Sequence, residues 1–338
     1  MTIIAGPCSI ESRQQLAEAV ATLTADSRVA MVRGGVWKPR TRPGGFEGIG
    51  LPALQWVAEL KAERPFAFCC EVALPEHVEM CLRHGVDAVW IGARTTANPF
   101  AMSELAQALR GTALPVMVKN APSPDVRLWA GAIERCQAAT TGVVSAILRG
   151  FDIYNNLGYR NAPLWDVALE LRRLMPSLPL LCDPSHITGR RDAIAATAQT
   201  ALDLGLDGLM VEVHPHPADA LTDADQQLTP HQFIAVLDGL VERRSDSQKA
   251  DSALADCRAQ IDAIDQQLLQ LLQRRMDIAR DIATVKRQLD LPLYQPQRWQ
   301  TLLDHHRAAA QAIGLDPDFA TRLFNLIHSE SLRTQQEL

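Results

Sequence analysis

Residues able to bind a metal ion follow short apolar runs along the first two-thirds of the 338-residue chain. The candidates are Cys8, His186, Glu212 and Asp223. A thiolate, an imidazole and carboxylates together suit Mn, Fe, Co or Zn better than Mg or Ca. The spacing itself does not define the site, because a zinc ribbon would show closely spaced CxxC pairs. His214 and His216 therefore compete with His186 for the role of ligand.

Basic residues follow the same kind of apolar run, although the formal net charge of the chain is -6. They are Arg33, Lys38, Arg40, Arg94, Lys119 and Arg149. Guanidinium forks match the geometry of phosphate and carboxylate groups. A single such residue is commonly a salt-bridged surface group. Their recurrence after successive apolar runs instead predicts a polyanionic small substrate, or two anionic substrates bound together.

The apolar runs that precede these residues have the length of buried strands, and helical patterns separate them. The runs cover residues 2–5, 29–32, 66–70, 88–91, 116–118, 143–148, 178–182 and 208–211. The patterns with a 3.6-residue period cover 12–24, 52–63, 75–83, 99–109, 125–136, 163–174, 192–204 and 230–241. This alternation predicts an α/β fold, a (β/α)8 TIM barrel over residues 1–243, whose strand ends surround one pocket. A doubly wound open sheet is the competing fold, and it fits the dispersed polar residues less well.

The pattern changes after residue 243. A polar segment, residues 244–252, is the predicted linker. Residues 253–338 then form a predicted all-α three-helix domain, with helices from residue 254, over 298–312 and over 319–336. Arg275 falls on the apolar seam of the first helix, where a charge is costly unless it is paired or binds a ligand. Lys286 follows nearly three turns later on the same face.

Composition excludes several classes of protein. Charged residues make up 21% of the chain, and no apolar run is long enough to span a membrane. We expect no nucleic-acid partner and no membrane partner. The start of the sequence lacks the pattern of a signal peptide, so we expect a cytoplasmic protein. Seven scattered cysteines do not predict a disulfide framework.

Motifs in the predicted barrel resemble the short, extension-free type I 3-deoxy-D-arabino-heptulosonate 7-phosphate (DAHP) synthases. They include GPCSIES, RGGVWKPRTRPGGFEGIG, IGARTT, VMVKN, ILRG, CDPSHITGRR and VEVHP. The resemblance implies a condensation of phosphoenolpyruvate with erythrose 4-phosphate, one divalent metal ion and no organic cofactor. Relatives that make 3-deoxy-octulosonate 8-phosphate carry an asparagine-bearing motif where this chain has KPRT, which favours erythrose 4-phosphate.

The same resemblance implies a role for each candidate residue. Cys8, His186, Glu212 and Asp223 match the metal ligands. Arg94 and Arg149 match clamps for the phosphate of phosphoenolpyruvate, and Arg33 and Lys119 match groups at its carboxylate and phosphate. Arg40 and Thr41 match the site of the aldose phosphate, Lys38 lies nearest the reacting carbons, and Glu71 matches a residue that positions phosphoenolpyruvate or the attacking water.

The C-terminal segment is similar to the all-helical chorismate mutases, through CRAQIDAIDQQLLQLLQRRMDIARDIATVK and RLFNLIHSESLRTQQ. The similarity implies conversion of chorismate to prephenate. The matching substrate positions are Arg258, Arg275, Lys286, Arg298, Ser331 and Gln335, with Lys286 and Gln335 at the breaking ether bond. It also implies a homodimer through the helices, in which Arg258 enters the site of the partner chain.

Two residues depart from the mutase pattern. Gln295 stands where an acidic residue is common, and Trp299 stands where a glutamate usually contacts the substrate hydroxyl. The alternative to an active mutase is therefore a regulatory or dimerisation module that binds chorismate or prephenate. The fusion further predicts that either ligand, bound to the helical domain, inhibits the barrel reaction.

Overall fold

The computed structural model describes residues 1–38, 44–154, 156, 158–243 and 247–337, with the backbone alone for 247–253. The chain divides into two compact units, Met1–Arg243 and Arg244–Leu338. No helix in the described ranges is long and apolar enough to cross a membrane. All seven cysteines are free thiols, and Cys257 alone among them is exposed.

The first unit is a closed barrel of eight parallel strands in chain order. Its strands are β1 (Thr2–Gly6), β2 (Val29–Arg33), β3 (Phe68–Val72), β4 (Ala88–Ile91), β5 (Val116–Lys119), β6 (Val144–Leu148), β7 (Leu180–Cys182) and β8 (Gly208–Glu212). β8 pairs in parallel with β1 from Thr2↔Gly208 to Gly6↔Glu212, which closes the ring. The predicted barrel is confirmed, and the open sheet is excluded.

Helices connect successive strands and cover the barrel. They are α1 (Arg13–Leu23), α2 (Leu51–Glu63), α3 (Pro75–Arg83), α4 (Ala93–Thr96), α5 (Pro99–Leu109), α6 (Val126–Gln137), α7 (Trp165–Leu174), α8 (Pro184–Thr188), α9 (Ile194–Asp203) and α10 (Pro230–Gly239). The sequence analysis does not predict α4 and α8, because four or five residues are too few to show a helical period. Both matter for the site, since α4 carries Arg94 and α8 carries His186.

The barrel strands are apolar on both faces because helices cover one face and side chains fill the other. Every residue of β4, β5, β6 and β8 is buried. Charged residues enter the strands at or next to their carboxyl ends. Arg33, Lys119 and Glu212 are the last residues of β2, β5 and β8. Since all strands are parallel, these side chains meet at one rim.

The second unit consists of α11 (Ser247–Gln288), α12 (Pro296–Ala312) and α13 (Pro317–Gln336). α13 packs against both other helices, and a turn at Gly314, with φ of 76°, separates α12 from α13. α11 begins at Ser247, within the segment predicted as a linker, since Gln248, Lys249 and Ala250 are good helix formers despite their polarity. The domain bounds 1–243, 244–252 and 253–338 stay a prediction.

We predict that Gly208→Ala destabilises the barrel. A Cβ atom at Gly208 would lie 2.1 Å from the backbone oxygen of Thr2, where β8 closes on β1. Overpacking of this kind costs about 1–3 kcal/mol, measured as the free energy of unfolding in urea. Gly239→Ala in α10 is the matched control, because no atom lies within 4 Å of its added Cβ. Equal stability of Gly208→Ala and the unaltered protein would contradict the prediction.

Candidate functional sites in the two units

A pocket of about 870 Å³ opens at the carboxyl ends of the barrel strands. The sequence-predicted residues that line it are Lys38, Glu71, Arg94, Lys119, Arg149, His186 and Asp223. Cys8, Arg33 and Glu212 are fully or almost fully buried and are not among the described residues of the lining. Arg40 and Thr41 lie outside the described residues. The structure therefore brings most of the predicted residues to one cavity.

Three of the four predicted metal ligands form a compact cluster. One ligand atom each from Cys8, Glu212 and Asp223 lies within 4.8 Å of the others. His186 falls outside this cluster, although its Nε2 lies 3.8 Å from Glu212 Oε1. The Cys8 thiol donates to Asp223 Oδ2 at 3.3 Å, and Lys38 Nζ donates to Cys8 Sγ at 3.0 Å. Cys8 follows β1, whereas Glu212 ends β8, so closure of the barrel joins them.

The chemistry of this cluster fits a divalent cation. Burial, together with the charge of Glu212, raises the pKa of the Cys8 thiol to about 12. Such a thiol ionises only when a cation joins the carboxylates, as happens on metal binding. Glu212 Oε1 is buried and lies 3.1 Å from Arg33 Nη2, but it accepts no hydrogen bond of good geometry from the described residues. Burial opposes ionisation of Glu212, but His186 and Arg33 outweigh it and hold the pKa of this carboxyl below its usual value.

Asp183 is a functional residue that the sequence analysis missed. It is fully buried and follows β7 directly. Its Oδ1 accepts a hydrogen bond from the backbone N–H of His186, so Asp183 is the N-cap of α8. Its Oδ2 lies 2.8 Å from His186 Nδ1 and accepts a hydrogen bond from Lys119 Nζ at 2.7 Å. A carboxylate at Nδ1 fixes the ring of a histidine and leaves Nε2 available to a ligand. The Asp-Pro pair that opens α8 is the sequence signal that identifies such a helix cap.

Gln226 and Arg160 were also missed, and they connect two members of the metal cluster. Gln226 is buried, and its Nε2 donates to Glu212 Oε2 at 2.6 Å. Arg160 donates to Gln226 Oε1 and to Asp223 Oδ1, the latter at 3.0 Å. Asp223 itself has a left-handed backbone, with φ of 47°. No sequence periodicity marks these residues, because Arg160 lies in a loop and Gln226 lies in a 3-10 helix of only three residues.

The buried side chain of Trp90 lies close to two of the buried cations. The Arg33 guanidinium carbon lies 4.8 Å from the centroid of the Trp90 ring, and Lys119 Nζ lies 5.7 Å from it. The indole Nε1–H donates to Glu71 Oε2 at 3.2 Å. A Cβ atom at Gly92 would lie 2.1 Å from Glu71 Oε1, so the glycine leaves room for this carboxylate. One buried ring thus positions a predicted carboxylate and faces two predicted cations.

Arg94, Arg149 and Arg160 make part of the pocket lining electropositive. Burial lowers the pKa of Arg149 to about 10. The negative charge of Asp183 opposes this shift, and the positive charges of Arg160 and Arg94 add to it. Asn120 Oδ1 accepts from the Arg149 backbone N–H at 2.7 Å and fixes the start of the loop after β6. Crowded cations are relieved by an anion, so this part of the pocket suits a phosphate group.

The helical unit holds a second pocket of about 320 Å³. Its lining includes the predicted residues Arg275, Lys286, Arg298, Ser331 and Gln335, and also the two departures Gln295 and Trp299. Arg258 is not among the described residues that line it. Arg258 precedes Arg275 by 17 positions on α11, roughly 25 Å along the axis.

Polar contacts inside this second pocket leave hydrogen-bonding capacity for a ligand. Arg275 donates to Ser331 Oγ, and Lys286 Nζ donates to the backbone oxygen of Leu293. Burial lowers the pKa of Arg275. Gln335 Oε1 is buried without a hydrogen-bond partner among the described residues. The three cations suit a small molecule with carboxylates, and the free Gln335 Oε1 can accept a hydrogen bond from a donor group.

We predict that Gln226→Leu weakens binding of Mn²⁺ by about 10- to 100-fold, the usual effect of removing a residue that orients a metal ligand. The change removes the hydrogen bond to Glu212 Oε2 and leaves the cluster residues in place. Calorimetric titration of the metal-free full chain measures the affinity. Gln199→Leu is the control, since that amide contacts Asp203 and Val241 outside the pocket. Equal affinities for both variants would contradict the role given to Gln226.

Comparisons with known sequences agree with the two-unit division. Residues 1–249 match the family model described as the DAHP synthetase I family, and residues 257–336 match chorismate mutase type II. The phospho-2-dehydro-3-deoxyheptonate aldolase of Thermotoga maritima is 33% identical over 229 residues, 67% of this chain and 65% of that protein. This chain therefore spans just under two-thirds of that relative's length. A chorismate mutase of Methanocaldococcus jannaschii is 31% identical over 84 residues, 24% of this chain and 85% of that protein.

Comparison with solved structures gives the same result for the barrel. The crystal structure of the phospho-2-dehydro-3-deoxyheptonate aldolase (DAHP synthase) of Thermotoga maritima matches with a TM-score of 0.63 and 29% identity. The match covers 75% of this chain and 70% of that one. Family model, relative and structure agree. The chain belongs to the DAHP synthetase I family, and its residues 257–336 form a chorismate mutase type II domain.

Proposed function

We propose that the barrel condenses phosphoenolpyruvate with erythrose 4-phosphate to give DAHP and inorganic phosphate. The observation that carries the proposal is one cavity of about 870 Å³. Its lining includes Asp223, which belongs to the cluster suited to a metal, together with Arg94 and Arg149. The KPRT motif at residues 38–41 supports erythrose 4-phosphate as the aldose. The cation would be Mn, Fe, Co or Zn, held by Cys8, Glu212 and Asp223, with His186 as the fourth ligand.

The residues of the pocket have distinct proposed roles. Arg94 and Arg149 bind the phosphate of phosphoenolpyruvate. Lys119 and Arg33 stabilise the negative charge of its carboxylate and phosphate groups. Lys38 lies next to the cluster, where the aldehyde must approach. A bound metal supplies Lewis acidity that polarises the aldehyde oxygen.

The bond changes follow from the two substrates. C3 of phosphoenolpyruvate forms the new bond to the aldehyde carbon, whose oxygen becomes a hydroxyl. Water adds at C2, and the C2–O bond to phosphate breaks, so that C2 becomes a ketone carbon. The two protons of the water end on the new hydroxyl and on the released phosphate. Glu71, which accepts a hydrogen bond from Trp90, would orient that water.

We propose that the helical domain rearranges chorismate to prephenate. This reaction needs no acid, base or nucleophile, so cations that hold both carboxylates in the reactive geometry are sufficient. Arg275 and Arg298 would bind the carboxylates, and Lys286 with Gln335 would stabilise the ether oxygen. Trp299 and Gln295 in the lining favour the second candidate, a regulatory module that binds chorismate or prephenate without converting it.

Two substitutions separate the activities within the intact chain. We predict that Arg149→Leu lowers kcat/KM of the synthase at least 100-fold and leaves the mutase unchanged, because it removes only a phosphate ligand of the barrel. Arg275→Leu should have the reverse effect. Arg135→Leu and Arg280→Leu are matched controls, since both side chains are solvent-exposed, Arg135 contacting its own helix and Arg280 pairing with Asp277.

The same assays distinguish the alternatives. Full synthase activity with arabinose 5-phosphate and none with erythrose 4-phosphate would contradict the proposed aldose, and activity that persists in a chelator would contradict the metal. Binding of chorismate without turnover would support the regulatory candidate. If chorismate or prephenate inhibits the synthase through the helical domain, Arg275→Leu should abolish the inhibition.

We propose a homodimer formed through the helical domain. Every residue of α11 from Leu254 to Leu271 is exposed in the single chain, and the apolar seam of this segment runs through Leu254, Ile261, Ile264, Leu268 and Leu271. A helix with a continuous exposed apolar face lowers its free energy by packing on another helix. Arg258 lies on this segment, consistent with a role in the partner's site.

We predict that Leu268→Glu converts the dimer to monomers, because it places a charge on the apolar seam. Analytical ultracentrifugation measures the change in mass, and Gln266→Glu on the same exposed segment is the control. Loss of mutase activity should accompany dissociation if Arg258 completes the partner's site. A protein that is already monomeric before substitution would contradict the proposal.

A further inference from the structure

His328 lines the pocket of the helical domain and has a ring nitrogen without a hydrogen-bond partner among the described residues. Its side chain, on α13, is among the lining residues. Its Nε2 is buried and has no hydrogen-bond partner in the described part of the chain. A buried polar atom is normally satisfied, so an unsatisfied one on a side chain that lines a pocket points to a ligand that completes it.

The ring of His328 is held in place by its neighbours. It stacks on Trp299, with centroids 3.8 Å apart and planes at 7°. Tyr294 approaches it at 6.0 Å and 48°. Because stacking restricts the ring, the position of Nε2 is set by the domain before any ligand binds, which lowers the entropic cost of binding.

The charge of the ring determines which group it can recognise. Burial, and then the positive charges of Arg275 and Lys286, lower the pKa of His328. The imidazole is therefore neutral at neutral pH, and a neutral imidazole donates through one nitrogen and accepts through the other. The cations of the pocket match the two carboxylates of chorismate. Of its other oxygen-bearing groups, only the ring hydroxyl can both donate and accept.

We propose that His328 Nε2 hydrogen-bonds the ring hydroxyl of chorismate and makes the helical domain specific for the hydroxylated ligand. The inference rests on the proposed binding of chorismate by this pocket. Trp299 has a linked role, because its stack positions the imidazole. Either tautomer of His328 satisfies a hydroxyl, so the assignment does not depend on which nitrogen carries the proton.

The test compares chorismate with the analogue in which hydrogen replaces the ring hydroxyl, using the full chain. The unaltered protein should prefer chorismate by about five- to tenfold in kcat/KM, the contribution of one hydrogen bond. His328→Phe keeps an aromatic ring on Trp299 but lacks the nitrogen. His328→Phe should abolish the preference for chorismate, because its kcat/KM should fall for chorismate and stay unchanged for the analogue. His328→Gln should restore part of the preference. His306→Phe is the matched control, because His306 stacks on Phe324 at 3.7 Å and is not among the lining residues.

The outcomes separate this inference from the proposed function. An equal loss on both compounds in His328→Phe, or an unchanged preference, would overturn the role of His328 while the mutase proposal stands. If the unaltered protein binds chorismate without turnover, the same comparison made on Kd by calorimetry decides the matter. If the protein neither converts nor binds chorismate, the proposed function is wrong, and the hydroxyl assignment is wrong with it.

Discussion

Paired charges buried beneath the barrel rim hold both the fold and the candidate active site. Arg33 Nη2 lies 3.1 Å from Glu212 Oε1, and Lys119 Nζ lies 2.7 Å from Asp183 Oδ2, with all four side chains at most 5% exposed. Removing one partner of such a pair leaves an uncompensated buried charge, at a cost of about 3–5 kcal/mol. Each pair joins residues of different parts of the barrel. The ring of strands must therefore close correctly for the charges to be tolerated, and a closed ring in turn places them at the pocket.

The two candidate sites differ in how they are supported. In the barrel, Asp183, Gln226 and Trp90 hold the groups that would touch substrate or metal, so geometry is fixed by several independent elements. In the helical domain, the pocket depends on three helices and on the stack of Trp299 with His328. Rigid support would suit the proposed metal-dependent condensation, whereas the proposed rearrangement of chorismate would need mainly a shaped and charged cavity.

Much of the architecture could be predicted from periodicity. The apolar runs mark all eight strands, since strands covered on both faces are apolar throughout. The two short helices α4 and α8 could not be predicted, because four or five residues are too few to show a helical period. The start of α11 also differs from the prediction, because good helix formers extend this helix into the polar segment predicted as a linker. Of the metal candidates, Cys8, Glu212 and Asp223 do lie together, while His186 stands slightly apart. Asp183 had only the signal of the Asp-Pro pair that opens α8. Gln226 and Arg160 had no signal, because residues outside long helices and strands gain their partners only when distant segments meet.

The sequence by itself determined which chemical groups are present and in what order, and the alternation of runs determined that one barrel rim collects them. A charge on the seam of a long helix likewise indicated a second site. Only the tertiary structure decided which group contacts which. Cys8 is 215 positions from Asp223, yet its thiol lies within hydrogen-bonding distance of that carboxylate. Contacts of this kind depend on closure of the ring and on helix packing, which bring together segments whose local sequences carry no information about each other.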